Sequence, residues 1–319
     1  MLGGVQTIGI DVGGTKVLGV VLDPADATRV LHELRVPTPP GGAGLVDVVA
    51  DLVGELTGVA GAVAAVGVGV PGLVDASGVL RAGAHLQTIA DLPLARELAE
   101  RCGVPVAVDN DANGHAVAEH RGGAAAGVDH AVVVTLGTGI GAGIISGGQL
   151  QRGAYGFAGE PGHMVVDPNG PPCPCGQRGC WEQFASGNGL ARLARSAALG
   201  GQLTSAVEAA GGDPELVRGE HVTAAAREGD ADALAVLDEL AEWIAVGLAN
   251  LVNILDPELV VIGGGLVGAA DLVLPRAQAR VHERMLAGRR RPLVPVVPAV
   301  LGERAGAIGT ALLAAELVR

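Results

Sequence analysis

The chain has 319 residues, of which 49% are hydrophobic and 2% aromatic, and its formal net charge at pH 7 is −13. An acidic chain without a long basic run is a poor candidate for a nucleic-acid-binding protein. Every apolar stretch is broken by glycine or charge before it reaches the length of a membrane span, and the first residues lack a basic signal region, so we expect a cytoplasmic protein that does not bind membranes.

The first predicted element is a β-hairpin whose apolar strands, at 7–10 and 17–22, flank a glycine-rich turn. Glycines let backbone N–H groups approach phosphate oxygens closely, and carboxylates are ligands that Mg²⁺ prefers. Lys16 is the only lysine of the chain, so a phosphate contact and a general drift toward arginine explain it equally well. The turn residues with candidate roles in binding a nucleotide or its metal ion are Asp11, Gly13, Gly14, Thr15 and Lys16.

A polar run, Asp109-Asn110-Asp111, follows the strand predicted at 104–108. The hydrophobic pattern before this strand predicts a helix at 44–58, a strand at 64–70 and a helix at 94–101, and another helix is expected to begin at the polar run. Ligand groups favour the end of a strand in α/β sheets, although Asp and Asn are also preferred helix N-caps. Three polar residues in a row exceed the need of a cap, so we expect them to bind a ligand.

The opening hairpin has a second copy in the sequence. Residues 130–145 align with residues 6–21 without a gap, which indicates an internal duplication, although chance similarity between two glycine hairpins remains an alternative. Gly137, Thr138 and Gly139 then form a second candidate phosphate-binding turn.

A third glycine turn follows the buried strand predicted at 259–262. Gly263, Gly264 and Gly265 suit the backbone surface on which a nucleotide base or ribose packs, and a simple tight turn is an equally good interpretation. A helix at 222–255 precedes this strand, and a strand at 293–300 and a helix at 305–318 follow it. Alternating strands and helices are typical of an α/β fold.

Three of the four cysteines, Cys173, Cys175 and Cys180, lie close together, and His163 precedes them by ten residues. Three cysteines and one histidine form a common tetrahedral zinc shell, and four protein ligands leave no open position, so the zinc is expected to be structural. A disulfide is the alternative, but Cys173 and Cys175 are too close in sequence to pair comfortably and a third cysteine would remain unpaired. Glu160 and Glu182 bracket this segment with carboxylates.

These motifs in combination resemble the ROK family (repressors, open reading frames, kinases), over the chain from residue 7 to the C-terminus, and are most similar to its bacterial glucokinases. The resemblance implies an actin-like ATPase, or ribonuclease H-like, α/β fold with two lobes and a duplicated β-hairpin and βαβ core. We expect a small lobe at 1–109 plus 301–319, and a large lobe at 110–300 that carries the zinc-binding segment 163–180.

The resemblance also implies an activity: a cytoplasmic transferase of carbohydrate metabolism that phosphorylates glucose with ATP and Mg²⁺ to form glucose 6-phosphate for glycolysis. Asp111 is expected to be the general base at the sugar 6-hydroxyl, and His163 to bind zinc through one ring nitrogen and the sugar through the other. The residues that match the family's sugar-binding positions are Asn110, Asp111, Glu160, His163 and Glu182.

Alternatives within the family are a kinase for mannose, fructose, allose or an N-acyl hexosamine, and a sugar-responsive regulator, which the acidic charge disfavours. Family members are often dimers or tetramers, so a homo-oligomer is expected. Family kinases often carry Asn-Leu near the segment that here is Arg81–Leu86, and this segment is given no role.

Overall fold

In the computed structural model the described residues are 6–42, 44–83 and 89–318. The strands are β1 (Gln6–Val12), β2 (Lys16–Leu22), β3 (Val30–Pro37), β4 (Val63–Val70), β5 (Gly72–Val74), β6 (Leu80–Gly83), β7 (Ala90–Leu92), β8 (Val106–Asn110), β9 (Ala131–Leu136), β10 (Ile140–Ser146), β11 (Gln149–Leu150), β12 (Leu259–Gly263) and β13 (Val296–Pro298). The helices are α1 (Leu45–Ala60), α2 (Leu94–Cys102), α3 (Asp111–Gly122), α4 (Glu182–Ala185), α5 (Gly187–Leu199), α6 (Thr204–Ala209), α7 (Gly219–Arg227), α8 (Ala231–Leu255), α9 (Ala270–Arg284) and α10 (Ala305–Glu316).

Two five-stranded sheets share one strand order. The first is β3-β2-β1-β4-β8 and the second is β11-β10-β9-β12-β13. In each sheet, three strands that are consecutive in the chain lie side by side, and two later strands are added next to the first of them. The added strands run parallel in both sheets, β4 with β8 and β12 with β13. The duplication predicted from residues 6–21 and 130–145 is therefore confirmed at the level of topology.

Both faces of the first sheet are covered because its central strands are apolar on both sides. Successive side chains of a strand point to opposite faces, and β2 shows the result. Val17 and Val21 pack in the core that α1 covers, whereas Leu18 and Val20 pack against Ala307 of α10. A continuous apolar run of this kind is typical of a strand that is buried on both faces.

Helix α10 lies very close to α3. A Cβ atom on Gly309 would overlap the backbone of Gly114 in α3, so only glycine permits this approach. The buried carboxylate of Glu119, nearer the other end of α3, is held by hydrogen bonds. Its Oε1 accepts the N–H groups of Val300 and Leu301 at 3.1 and 2.9 Å. Asp111 is therefore the first residue of a helix whose position is fixed by these contacts.

The sequence-based assignment was wrong for the helix expected at 222–255, which is two helices. Helix α7 ends at Arg227, and Asp230 caps the start of α8 by accepting the N–H of Ala233 at 2.9 Å. The Ala- and Leu-rich pattern continues across this break, but Gly229 has a φ of +87°, which does not fit a continuous helix. The last strand is also shorter than expected, Val296–Pro298 instead of 293–300.

Contacts divide the chain into two compact units. The first comprises Met1–Val133, Ala142–Gly159 and Ala299–Arg319, and the second Val134–Gly141 and Glu160–Pro298. This division differs from the expected lobes, in which 110–300 formed one body, because α3 packs with α10 and with the first sheet. Among the described helices, none combines the length and the apolar character that crossing a bilayer requires.

Candidate active site

Asn110 and Asp111 lie where β8 ends and α3 begins. The side chain of Asn110 caps α3 by accepting the N–H of Ala112 at 2.9 Å, and its Nδ2 donates to the carbonyl of Gly72 at 3.1 Å. Asp111 Oδ1 also accepts the Ala112 N–H, at 2.9 Å. The capping role considered from the sequence is therefore confirmed for Asn110, and the contact with Gly72 goes beyond it.

Asp109, the first residue of the polar run, is buried. Its Oδ1 accepts the backbone N–H of Asn110 at 2.8 Å and the Nδ2 of Asn113 at 2.7 Å, and its Oδ2 accepts the Nε of Arg152 at 2.7 Å. The Asp109 carboxylate is therefore occupied by hydrogen bonds within the protein. Asn110 and Asp111 remain as the candidates for direct contact with a ligand.

Asp11, at the end of β1, lies in the same unit as Asp111. Burial raises the pKa of Asp11 to about 6; the nearby His115 lowers this pKa, the Asp111 carboxylate raises it and Lys16 lowers it. Gly306 packs directly on this side chain, since a Cβ there would lie 2.6 Å from the Asp11 Cγ. A desolvated carboxylate beside a second one is a site that a divalent cation would stabilise.

The turn after β1 presents backbone and side-chain donors to solvent. Gly14 and Thr15 are exposed, and the N–H of Gly13 donates to the carbonyl of Lys16 at 2.9 Å. The Lys16 ammonium is 2.7 Å from the Glu303 carboxylate, an ion pair that the sequence did not indicate. A phosphate contact by Lys16 would have to compete with Glu303 or share the ammonium with it.

The second glycine turn joins β9 to β10. Its Gly137 N–H donates to the Gly139 carbonyl at 3.0 Å, and the Gly137 carbonyl accepts the N–H of Gly187, the first residue of α5, at 2.7 Å. Thr138 is exposed. A Cβ on Gly139 would lie 2.7 Å from Glu182 Oε2, so this turn touches the acidic residue next to the cysteine cluster.

The third glycine turn has a structural reason for one of its residues. Gly264 has a φ of +83°, and a Cβ there would lie 2.6 Å from the backbone of Leu136. The tight-turn interpretation therefore accounts for Gly264, while Gly263 ends β12 and Gly265 begins a short 3₁₀ turn. Ligand contacts by Gly263 and Gly265 stay a prediction.

The predicted zinc ligands come together in the second unit. One donor atom from each of His163, Cys173, Cys175 and Cys180 lies within 4.8 Å of the others, and the cysteines are free thiols. His163 Nδ1 is 3.8 Å from Cys173 Sγ, and the Sγ atoms of Cys175 and Cys180 are 3.6 Å apart. Soft sulfur donors with one imidazole, converging on a single point, fit Zn²⁺.

Glu182 links this cluster to the sugar-binding residues proposed from the sequence. Its Oε1 accepts the Cys173 Sγ–H at 3.1 Å and lies 3.9 Å from His163 Nδ1. Burial raises the pKa of the Cys173 thiol well above its usual range, so metal binding would have to displace that proton. Because Nδ1 faces the thiols, the Nε2 of His163 is the ring nitrogen left for a second partner.

Trp181 anchors the segment that positions Glu182. Its ring is fully buried, and its Nε1 donates to the carbonyl of Trp243 in α8 at 2.7 Å. Phe184 stacks on Trp243 with 4.2 Å between ring centroids, and the Arg192 guanidinium lies over Phe184 at 5.3 Å from the centroid. The chain has five aromatic residues, and three of them, Trp181, Phe184 and Trp243, pack around this segment.

Three residues that lie against the candidate site residues were not identified from the sequence: Glu303, Arg152 and His115. His115 accompanies Asp111 because residues four apart share one face of a helix, a spacing that is visible in the sequence. Glu303 and Arg152 reach the site from distant parts of the chain, and no local pattern marks them. Of the unassigned segment Arg81–Leu86, residues 84–86 lie outside the described residues.

Comparison with known proteins gives consistent matches over nearly the whole chain. A profile of the ROK family matches residues 7–317. A glucokinase of Streptomyces coelicolor is 39% identical over 97% of this chain and 98% of its own length, and an N-acetylmannosamine kinase of Escherichia coli is 30% identical over 97% and 98%. A solved structure, a ROK family glucokinase from Streptomyces griseus in complex with glucose and AMPPNP, is 38% identical and has a TM-score of 0.88, with 98% of this chain and 99% of that chain covered.

Proposed function

The chain belongs to the ROK family, and from this we propose that it is an ATP-dependent kinase that phosphorylates glucose to glucose 6-phosphate. The observation that carries the proposal is the full-length similarity to glucokinases, one of them solved with glucose and an ATP analogue. The fold is that of ROK sugar kinases.

We assign the proton transfer to Asp111. As the glucose 6-hydroxyl oxygen attacks the γ-phosphorus of ATP, Asp111 takes the hydroxyl proton, a bond forms between that oxygen and phosphorus, and the bond to the β-phosphate oxygen breaks to release ADP. The position of Asp111 supports this role, because the first residue of α3 is held by the cap at Asn110 and by the packing of α10 on α3. Phosphoryl transfer depends mainly on such alignment.

We assign recognition of the sugar hydroxyls to five residues: Asn110, Asp111, Glu160, His163 and Glu182. Carboxylates, an amide and an imidazole suit a polyol, which offers both donors and acceptors in fixed directions. His163 would use Nδ1 for the metal, because Nδ1 faces the thiols, and Nε2 for a hydroxyl. The zinc would then hold the imidazole in place, a structural role.

We assign the nucleotide to the glycine turns and to Asp11. The exposed backbone of Gly14 and Thr15 and the turn at Gly137, Thr138 and Gly139 would bind phosphate oxygens, and Gly263 and Gly265 would face the nucleoside. Asp11 would hold Mg²⁺, which supplies charge neutralisation on the phosphates. The role in glycolysis, the cytoplasmic location and the homo-oligomeric assembly expected from the family stay predictions.

A second candidate is a ROK kinase for another sugar, which the 30% identity to an N-acetylmannosamine kinase supports. Both candidates share the polar residues that bind the sugar and differ in the shape of the acceptor pocket. The preferred sugar is therefore recognised by its higher kcat/KM. The test is a panel of glucose, mannose, fructose, allose and N-acetylmannosamine, assayed by sugar-dependent ADP release. A higher kcat/KM for any sugar other than glucose would contradict the proposal, and ADP release without sugar would contradict both candidates.

A further inference from the structure

The carboxylate of Asp109 is the centre of a buried hydrogen-bond network beside the proposed active-site residues. The Asp109 residue is 7% exposed and Asn113 is 1% exposed. Oδ1 accepts from the Asn110 N–H and from Asn113 Nδ2, and Oδ2 accepts from Arg152 Nε. All three partners lie in the same unit as Asp109, and the charged one, Arg152, has a side chain that is 39% exposed.

Arg152 connects this network to a second chain segment. The loop it begins is closed by a hydrogen bond from the Ala158 N–H to the Arg152 carbonyl at 3.0 Å, and the Tyr155 carbonyl accepts the N–H of Ala76 at 3.2 Å. The loop ends at Gly159, whose carbonyl accepts the Ala142 N–H at 3.1 Å, and the next residue in the chain is Glu160. One ion pair therefore joins the segment that leads into Asn110 and Asp111 to the segment that leads into Glu160.

We propose that Arg152, acting through Asp109, is a positioning residue that fixes Asn110 and Asp111 for phosphoryl transfer. The proposal rests on the proposed kinase function. A buried carboxylate needs a charged partner, and without Arg152 the Asp109 side chain would rotate toward solvent or draw in water. It would then release the Asn110 N–H, the bond that joins it directly to the residue before Asp111.

A purely structural ion pair is the competing explanation. An exposed pair contributes little to stability, but this pair is exposed on the arginine side only, and its carboxylate has three donors with no redundancy among them. A small displacement of a reacting group lowers the rate of transfer far more than it lowers stability. The positioning role is therefore recognised in kinetic constants and not in the melting temperature.

The test uses Arg152→Met, Asp109→Asn and the double variant, with Arg152→Lys as a conservative variant in case the methionine substitution prevents folding. The control is Arg96→Met, which removes an arginine from an exposed pair with Glu100 in the same unit. We expect Arg152→Met to lower kcat/KM for glucose about 10- to 100-fold with an unchanged KM for ATP, and Arg152→Lys to retain part of the activity. The double variant should recover about tenfold over Arg152→Met, because it no longer buries an unpaired charge.

Two results would overturn the positioning role: kcat/KM for glucose in Arg152→Met equal to that of the control, or losses that simply multiply in the double variant. Hydrogen exchange of the Asn110 amide provides a readout that needs no substrate, and it should be faster in Arg152→Met than in wild type. An unchanged exchange rate would refute the network argument. If wild type phosphorylates no sugar, the kinase proposal is wrong, and the exchange experiment still decides whether Arg152 positions Asn110.

Discussion

The Glu182 carboxylate occupies the space in which residue 139 would carry a side chain. A Cβ on Gly139 would lie 2.7 Å from Glu182 Oε2, and the φ of Gly139 is not in the left-handed region. Glycine is therefore favoured there by the neighbouring carboxylate and not by backbone strain. Gly139, predicted from the sequence as a phosphate contact, also makes room for a residue assigned to the sugar.

Gly139→Ala should weaken sugar binding without unfolding the protein. The added methyl group meets the end of a flexible side chain, so Glu182 moves aside at small cost in stability but loses its place against the sugar. Loss of one hydrogen bond to a charged group predicts a KM for glucose about 10- to 100-fold higher, with the KM for ATP unchanged. Steady-state kinetics with each substrate varied in turn measure this.

The matched comparison is Gly137→Ala in the same turn. Apart from its two chain neighbours, no described residue has an atom within 4 Å of a Cβ at Gly137, so this methyl group meets no other part of the protein. If the turn binds phosphate, Gly137→Ala raises the KM for ATP and leaves that for glucose unchanged. A Gly139→Ala enzyme whose defect is confined to ATP would contradict the explanation from Glu182.

Replacement of Asp111 tests the general base. Asp111→Asn keeps a side-chain oxygen for the Ala112 N–H and therefore preserves the start of α3. The amide cannot take the hydroxyl proton, so kcat should fall by about 10²–10⁴-fold while the dissociation constant of AMPPNP stays the same. Sugar-dependent ADP release and calorimetric titration with AMPPNP provide the two readings, and equal rates for variant and wild type would exclude Asp111 as the base.

The cysteine cluster predicts about one zinc per chain. Cys175→Ser should lose the metal and, with it, the fixed orientation of His163, so that the KM for glucose rises. Cys175 is exposed, which means that the substitution itself does not disturb a packed core. Cys102→Ser is the control, because Cys102 lies in the other unit. Metal analysis and sugar kinetics of both variants are needed, and a zinc-free Cys175→Ser enzyme with normal sugar KM would contradict the orienting role.

Asp11 should make the free energy of unfolding depend on pH. Its pKa is raised from 3.8 to about 6 by burial, so the folded protein binds this proton more tightly than the unfolded chain does. The free energy of unfolding should therefore fall as pH rises from about 4 to about 6, by up to about 3 kcal/mol, because a difference of one in pKa corresponds to about 1.36 kcal/mol. Urea unfolding of wild type and Asp11→Asn without Mg²⁺ at several pH values measures this, and identical profiles for the two proteins would contradict it.

The elements that were predicted well from the sequence are those determined by residues close together in the chain. The β1–β2 hairpin and its later copy were recognisable because apolar strands flank glycine turns, and the cysteine cluster because its members are close in sequence. The break between α7 and α8 was missed because alanine and leucine continue through it. The Arg152–Asp109 pair joins residues 43 apart in the chain, and only the tertiary fold determines which arginine meets a buried aspartate.

The packing of α10 against β1, β4 and α3 has a consequence for how the protein is made. The first unit needs Ala299–Arg319 to complete its core, so a nascent chain that has emerged from the ribosome as far as Asp111 cannot yet hold that residue in its final place. Domains usually fold in the order of their synthesis. The earliest part of the polypeptide must therefore wait for this late segment, and Asp111 reaches its final place only after Ala299–Arg319 has been made.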